Sequence, residues 1–396
     1  MQVYLDNAAT TKMSEEAINA MIPYFAGIYG NPSSLHSMGQ RAKEVLEEAR
    51  HTVAQCLGAS DNEIYFTSGG SEADNQAIIS ASKLGERKGK KHIVTTAFEH
   101  HAVLHTLKKL EKEGFEVTYL SVGREGNITP SQVAEAIRAD TCLVTTMTAN
   151  NEIGSILPIA EIGAICRERK VLFHTDAVQA VGHIPVNVEQ MNIDMLSLSA
   201  HKFHGPKGVG VLYAKKGIAL TTIIEGGAQE RGKRAGTENI AGIVGLATAL
   251  KEATERLTEN MAKTAVLRDK LIEGLSTIPH SVLNGDKVNR LPSNVHFCFE
   301  GIEGESLLLL LDEYGIEASS GSACTSGSLD PSHVLLAIGH PHEIAHGSLR
   351  LSLSEYTSEE EIDYVLHTVP LVVERLRNMS PIWRDKINGV KPFILE

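Results

Sequence analysis

The sequence predicts an α/β fold: a large domain built on a mainly parallel sheet flanked by helices, then a smaller α/β C-terminal domain. Short β-branched runs alternate with helical stretches through the first half of the chain, which implies right-handed crossovers and parallel strands. A glycine- and arginine-rich loop over 226–236 is followed by a long helical stretch, 240–275. Beyond it, strand-like and helical segments resume, enough for a second, smaller domain.

In order, a helical segment placing Ala17, Ile18, Met21 and Ile22 on one side leads into the loop Gly27-Ile28-Tyr29-Gly30-Asn31-Pro32. A helix with i,i+4 charge support is expected over 40–57. The strands expected next are Ile64-Tyr65-Phe66, His92-Ile93-Val94-Thr95, Val117-Thr118-Tyr119-Leu120, Cys142-Leu143-Val144-Thr145 and Val171-Leu172-Phe173-His174. Another apolar run, Asp194-Met195-Leu196-Ser197-Leu198, ends at Ser199-Ala200-His201-Lys202; the chain then turns at Gly205-Pro206 and re-enters a strand over 208–213. Late strands are expected at Asn294-Val295-His296-Phe297 and Leu349-Arg350-Leu351-Ser352. The expected division is 1–14 as an N-terminal segment packing with the small domain, 15–255 as the large domain and 256–396 as the small one.

The 396 residues are 42% hydrophobic and 22% charged, an ordinary globular balance for two or three domains. A net charge of −12 argues against nucleic acid or an anionic membrane surface as partner. The N-terminus lacks a signal-peptide pattern, and the apolar run Leu307 to Leu311 stops at Asp312-Glu313, far short of a membrane span. Cys56, Cys142, Cys166, Cys298 and Cys324 show neither pairing nor metal-ligand spacing. A cytoplasmic enzyme is expected.

Ligands of open parallel sheets gather at the carboxyl ends of strands, and four features fall there. Thr67-Ser68-Gly69-Gly70-Ser71-Glu72 opens a helix, so its N–H groups and glycines suit an anion; a plain helix cap is the equal alternative. Asp176, closing a strand in His174-Thr175-Asp176-Ala177-Val178-Gln179, is costly to bury unless it meets a cation such as a protonated pyridine nitrogen; otherwise it is a capping aspartate. His100 could stack on a planar cofactor and move protons, although a lone histidine there is more often a surface residue. Lys202, between two strand-like runs, is placed to lose its charge and condense with a carbonyl; alone, a solvated turn lysine is the commoner case. Taken together, the four make one site.

At this point the chain resembles the cysteine desulfurases of the NifS and IscS kind, in the class V aminotransferase group of fold-type I pyridoxal phosphate enzymes. The likeness runs nearly end to end, through Tyr4-Leu5-Asp6-Asn7-Ala8-Ala9-Thr10-Thr11, Gly30-Asn31-Pro32-Ser33-Ser34, Thr67 to Glu72, Asn150-Asn151-Glu152-Ile153-Gly154, His174 to Gln179 and Ser199 to Lys202. Arg231-Gly232-Lys233-Arg234-Ala235-Gly236-Thr237 and Ser319-Ser320-Gly321-Ser322-Ala323-Cys324-Thr325-Ser326 complete it. The resemblance implies a pyridoxal 5'-phosphate joined to Lys202, stacked by His100, with Asp176 at its ring nitrogen and Gln179 at its phenolic oxygen. Gly70, Ser71, Ser199 and His201 would hold the phosphate, and Thr237 would reach in from a partner subunit of a homodimer. Asn151 would lie near the ring oxygen and the substrate; Arg350 would clamp the substrate carboxylate, assisted by Asn31. Gly70-Ser71 stands where relatives often carry Ala-Thr, a change that keeps the hydroxyl.

Cys324 names the reaction the resemblance implies. Its neighbours, 319–328, are small and polar, a composition suited to a mobile loop, whereas a buried structural cysteine suits Cys298 better. The implied reaction takes sulfur from L-cysteine, giving L-alanine and a persulfide on Cys324. A sulfur-acceptor protein, such as an iron–sulfur scaffold, would receive it, and Cys324 could transiently share a cluster there; no other metal site is expected. The alternatives are a selenocysteine lyase or related β-lyase, an aminotransferase, or a non-catalytic protein that retains the fold.

Overall fold

The computed structural model describes residues 1–320 and 331–395. Its strands are β1 (Val3–Tyr4), β2 (Ile64–Thr67), β3 (His92–Thr96), β4 (Glu116–Leu120), β5 (Thr141–Met147), β6 (Leu172–Asp176), β7 (Met195–Ser199) and β8 (Gly210–Ala214), then β9 (Ser281–Leu283), β10 (Asn294–Phe299), β11 (Ile316–Glu317) and β12 (Ser348–Ser352). The expected fold class is the observed one. Strands β2 to β8 form one seven-stranded sheet in the order β2-β8-β7-β6-β5-β3-β4. β3, β4, β5, β6 and β7 are mutually parallel, and β8 runs antiparallel to both its neighbours, β7 and β2. The reversal follows from chain length: too few residues separate β7 from β8 for the helical crossover that a parallel neighbour needs. One reversed strand leaves the carboxyl ends of β2, β3, β5, β6 and β7 along a single edge.

Every residue of β3, β5, β7 and β8 is buried, as befits strands covered on both faces. Helix Gly70–Glu86 covers one face through Ala73, Ala77, Ile78 and Ala81, all fully buried with Ile93, Leu143 and Leu212. Helices Ser37–Leu57 and Ile240–Glu255 pack with Ile64, Phe66, Val144 and Leu196 in a second apolar cluster.

A third cluster belongs to the antiparallel sheet β12-β10-β9. Val295, Phe297 and Phe299 of β10 pack there with Leu267, Leu271 and Leu275 of helix Leu257–Leu275 and with Ile362, Val365 and Val369 of helix Glu359–Met379. The helical stretch expected over 240–275 is therefore two helices, broken at Arg256 (φ −97°, ψ 6°). Hydrophobic periodicity runs through the break because each half buries an apolar face, but against different clusters. The N-terminal segment straps the two parts together. β1 pairs in parallel with β11, Val3 and Leu5 join the third cluster, and Thr11 hydrogen-bonds the His201 carbonyl and the His204 N–H beyond the carboxyl end of β7.

The 226–236 loop contains a short helical turn, Gln229–Gly232, in which Glu230 (φ 45°) and Arg231 (φ 56°) are left-handed. The buried carboxylate of Glu230 holds this strained turn, accepting from both Arg50 amino groups at 2.9 Å and from the Phe66 N–H at 2.9 Å.

Candidate active site

The carboxyl edge of the large sheet opens into a cavity of about 330 Å³. Of the residues singled out in the sequence, Gly70, Ser71, His100, Asn151, Asp176, Gln179, Ser199, His201, Lys202 and Arg350 all line it. Asn31 and Thr237 are exposed and line no part of it, and Cys324 lies outside the described residues.

One end is made for an anion. Helix Gly70–Glu86 begins at Gly69 (φ 154°) with no side chain capping it, so its first N–H groups face outward. Glu72 braces the turn, accepting from the Ser68 N–H at 2.8 Å while paired with Arg234 at 2.9 Å. Gly210 lets β8 pass beneath: a Cβ there would meet the Gly69 Cα at 2.6 Å and the Leu198 carbonyl at 2.7 Å. Ser199 and His201 face the same end, which continues into an open depression lined by Ser68, Ser71 and Lys207. Burial and the nearby Lys202 and Lys207 charges push the His201 imidazole down to about 4.

Lys202 closes a single 3-10 turn, Ala200–Lys202, directly after β7. Its carbonyl accepts from His183 Nε2 at 2.8 Å, which fixes the turn, and its Nζ donates to the Ala8 and Ala9 carbonyls, each at 2.7 Å. Gln179 Nε2 donates to that same Ala8 carbonyl at 2.9 Å.

Asp176 ends β6, with Oδ1 accepting from the Val178 N–H at 3.0 Å. Burial raises its pKa above the usual carboxylate value, against the opposing pull of His100, the Val178 N–H and Lys202. His100 caps helix His101–Lys112: its Nδ1 accepts from the Ala102 N–H at 3.1 Å. That bond leaves the ring proton on Nε2, and burial lowers the imidazole's pKa, which keeps it neutral at neutral pH.

Sequence reasoning missed Asp74. It is 1% exposed and brings a carboxylate oxygen within 4.8 Å of the polar atoms of both His100 and Asp176. Burial, and then the Asp176 charge, raise its pKa well above the usual value, so Asp74 holds the proton and Asp176 the charge. Its Oδ1 has no hydrogen-bond partner among the described residues. The available signal was spacing: Asp74 lies four residues after Gly70, one helical turn along, polar on a face of Ala73, Ala77 and Ala81. Behind it His174, fully buried between Thr145 Oγ1 (2.8 Å) and Ser197 Oγ (3.0 Å), is pushed down to about 3 and stays neutral.

Arg350 faces the other end from the middle of β12 and is 3% exposed. Nη2 donates to Asp6 Oδ1 at 2.9 Å and Nη1 to the Asn151 carbonyl at 3.1 Å, while Nε is buried with no partner among the described residues. Its backbone is paired to Ser319, N–H to carbonyl at 2.6 Å and the reverse at 3.2 Å. On the far side of 321–330, Ser332 Oγ donates to Glu152, whose carboxyl burial raises to about 7. The site thus offers an anion-binding end, an amine, a buried acid pair beside a neutral imidazole, and an arginine whose Nε has no partner among the described residues.

Known proteins resemble the chain along its length. The aminotransferase class-V family model matches residues 3–365. "Cysteine desulfurase IscS" from Clostridium botulinum is 55% identical over 387 residues, 97% of each chain. The protein of the same name from Methanosarcina thermophila is 55% identical over 380 residues, 96% of this chain and 94% of that one. Among solved structures, a "NIFS-LIKE PROTEIN" superposes with a TM-score of 0.89 at 40% identity, covering 95% of this chain and all of that one. "SspA in complex with cysteine" follows at a TM-score of 0.80 and 37% identity, covering 90% of this chain and all of that one. These findings bear out the resemblance to desulfurases of the NifS and IscS kind read from the motifs. The chain belongs to the aminotransferase class-V family.

Proposed function

We propose that the chain is a pyridoxal-phosphate-dependent cysteine desulfurase. It takes sulfur from L-cysteine, releases L-alanine and holds the sulfur as a persulfide on Cys324 for an acceptor protein, in iron–sulfur cluster assembly or other sulfur transfer. The observation that carries the reading is one cavity that gathers Lys202, Asp176, His100 and Arg350 beside an uncapped helix N-terminus.

The residues present fit the cofactor. Gly70, Ser71, Ser199 and His201 suit the phosphate, and a Cβ at Gly70 would meet Val178 Cγ2 at 2.6 Å, crowding that end. Asp176 suits the protonated ring nitrogen, with Asp74, its own proton retained, leaving that charge on Asp176. Lys202 suits the aldehyde, His100 the ring face, Gln179 and Asn151 the phenolic oxygen. When bound, pyridoxal phosphate supplies an aldehyde for amine exchange and a ring that draws electrons from the substrate's Cα.

The chain's own groups do the rest. Arg350 takes the substrate carboxylate through its free Nε and the adjoining Nη, with Asn31 assisting. The Lys202 amine would move the proton at the substrate Cα. His100, neutral with its proton on Nε2, is within the same cavity to exchange one with the substrate. The Cys324 thiolate attacks the substrate sulfur: an S–S bond forms, the Cβ–S bond breaks, and the carbon keeps the electron pair and takes a proton. Alanine is thereby the reduced product and the persulfide the oxidised one. Cys324 lies five positions after Ser319, a reach of at most about 18 Å for an extended chain, and Ser319 is bonded to Arg350 itself.

A homodimer is part of this reading. Thr237 is exposed on its own chain, as a residue serving a partner's phosphate end would be, and Ile22, Phe25, Tyr29 and Leu35 are exposed apolar side chains near the N-terminus. A reducing, cytoplasmic setting fits Cys56, Cys142, Cys166 and Cys298, all free thiols. No helix among the described residues is long and apolar enough to cross a membrane.

Mass spectrometry after L-cysteine tests the proposal. The peptide carrying Cys324 should gain one sulfur, and Cys324→Ser should gain none while still binding cofactor. A sulfur-free Cys324 in turning-over enzyme sinks the mechanism. Turnover on L-cysteine against L-selenocysteine separates it from a selenocysteine lyase.

A further inference from the structure

Beside the cavity, outside the residues assigned above, His101 packs between two other histidines. His101 and His105 lie one turn apart on helix His101–Lys112, and His333 opens helix His333–Ala337 across from them. Ring centroids are 5.0 Å apart for His101 and His105 and 4.6 Å for His101 and His333. Two imidazoles sharing one tetrahedral ion, each bound at about 2.0–2.1 Å, set their centroids about 5 Å apart. His333 is already oriented: its Nε2 donates to the Glu99 carbonyl at 2.9 Å, which leaves Nδ1 as a lone-pair donor. Fixing one ring nitrogen on a carbonyl is how proteins commonly aim the other at a metal. Helical i,i+4 spacing of two histidines is likewise a chelating arrangement. Beside them lies an open depression of about 640 Å³, lined by His101, His105 and Lys109.

We infer that His101, His105 and His333 form a binding site for one borderline divalent transition ion, such as Zn²⁺. An all-imidazole set disfavours Mg²⁺ or Ca²⁺, which require oxygen ligands. The rings are tilted by 39° and 49°, and the three sets of nitrogens do not lie within 4.8 Å of one another as they stand. Closure needs rotation of His105, which is exposed and whose terminal torsion is soft. A bound ion would tie the start of helix His333–Ala337 to helix His101–Lys112 next to His100.

The test is Zn²⁺ competition against a chromophoric chelator, using the cofactor-loaded full chain. Wild type should bind one equivalent. His105→Ala and His333→Gln each remove a ligand and should weaken it by more than the about 10- to 100-fold that loss of an outer-shell partner costs, and Cys324→Ser should leave it unchanged. Absence of stoichiometric binding, binding indifferent to His105→Ala, or binding lost in Cys324→Ser would each overturn the site. His105 is exposed, so His105→Ala keeps the test decisive even if His333→Gln fails to fold.

Discussion

Replacing Arg350 by lysine separates charge from geometry at the substrate end of the cavity. The guanidinium is 3% exposed, spends Nη2 on Asp6 and Nη1 on the Asn151 carbonyl, and keeps Nε free. Lysine preserves the positive charge but has no planar fork, so it cannot hold Asp6 and grip a carboxylate with two parallel bonds. One charge-assisted hydrogen bond contributes about 1.5–3 kcal/mol, and a factor of ten corresponds to about 1.36 kcal/mol. Arg350→Lys should therefore lower kcat/KM for L-cysteine by about one to two decades, mostly through KM. The assay is alanine formation over a range of L-cysteine, with the visible absorption of bound cofactor read on the same samples. Cofactor content should not change, because Arg350 sits at the opposite end from the phosphate residues. A kcat/KM within twofold of wild type at full cofactor content would refute the clamp. A loss of activity tracking a loss of cofactor would show that Arg350 acts on the fold instead.

Two further outcomes follow from backbone crowding and from a buried acid. Gly210→Ala places a Cβ 2.6 Å from the Gly69 Cα, a backbone atom that cannot swing aside. It should cost about 1–3 kcal/mol in thermal or denaturant unfolding and weaken cofactor titration, and unchanged cofactor affinity would show that the Gly69 turn is not held by β8. Glu99 is fully buried, and burial raises its carboxyl to about 8 despite hydrogen bonds from Thr96 and the Met147 N–H. A raised pKa means the fold favours the protonated form, so that stability is complete below about pH 4.5 and is lost as pH rises through about 8. Glu99→Gln should flatten the decline in Tm between pH 6 and 9, and parallel profiles for the two proteins would contradict it.

The strands were legible because each is a compact apolar run bounded by turns, and the ends of β6 and β7 were legible because Asp176 and Lys202 are expensive where they stand. Two kinds of feature were not. Asp74 was hidden inside a helix whose periodicity is apolar, and only the turn it shares with Gly70 marks it. The Ala8 and Ala9 carbonyls that receive Lys202 have no side-chain signature at all, since any residue offers the same acceptor. The break at Arg256 was hidden for a related reason: amphipathic periodicity reports that a helix buries a face, not which cluster it buries it against.

The N-terminal strap makes the order of synthesis matter. Residues 3–11 find their partners at Ile316, Ser352 and His201, which leave the ribosome between roughly two hundred and three hundred and fifty residues later. The part made first is therefore placed last. A nascent large sheet can pack its helices early, but Asp6 cannot meet Arg350, nor Ala8 cover the cavity from the strapped side, until β12 has emerged. Such long-range closure is slow relative to local helix packing. Competence at this site is thus acquired as one late event, with nearly the whole chain already folded around it.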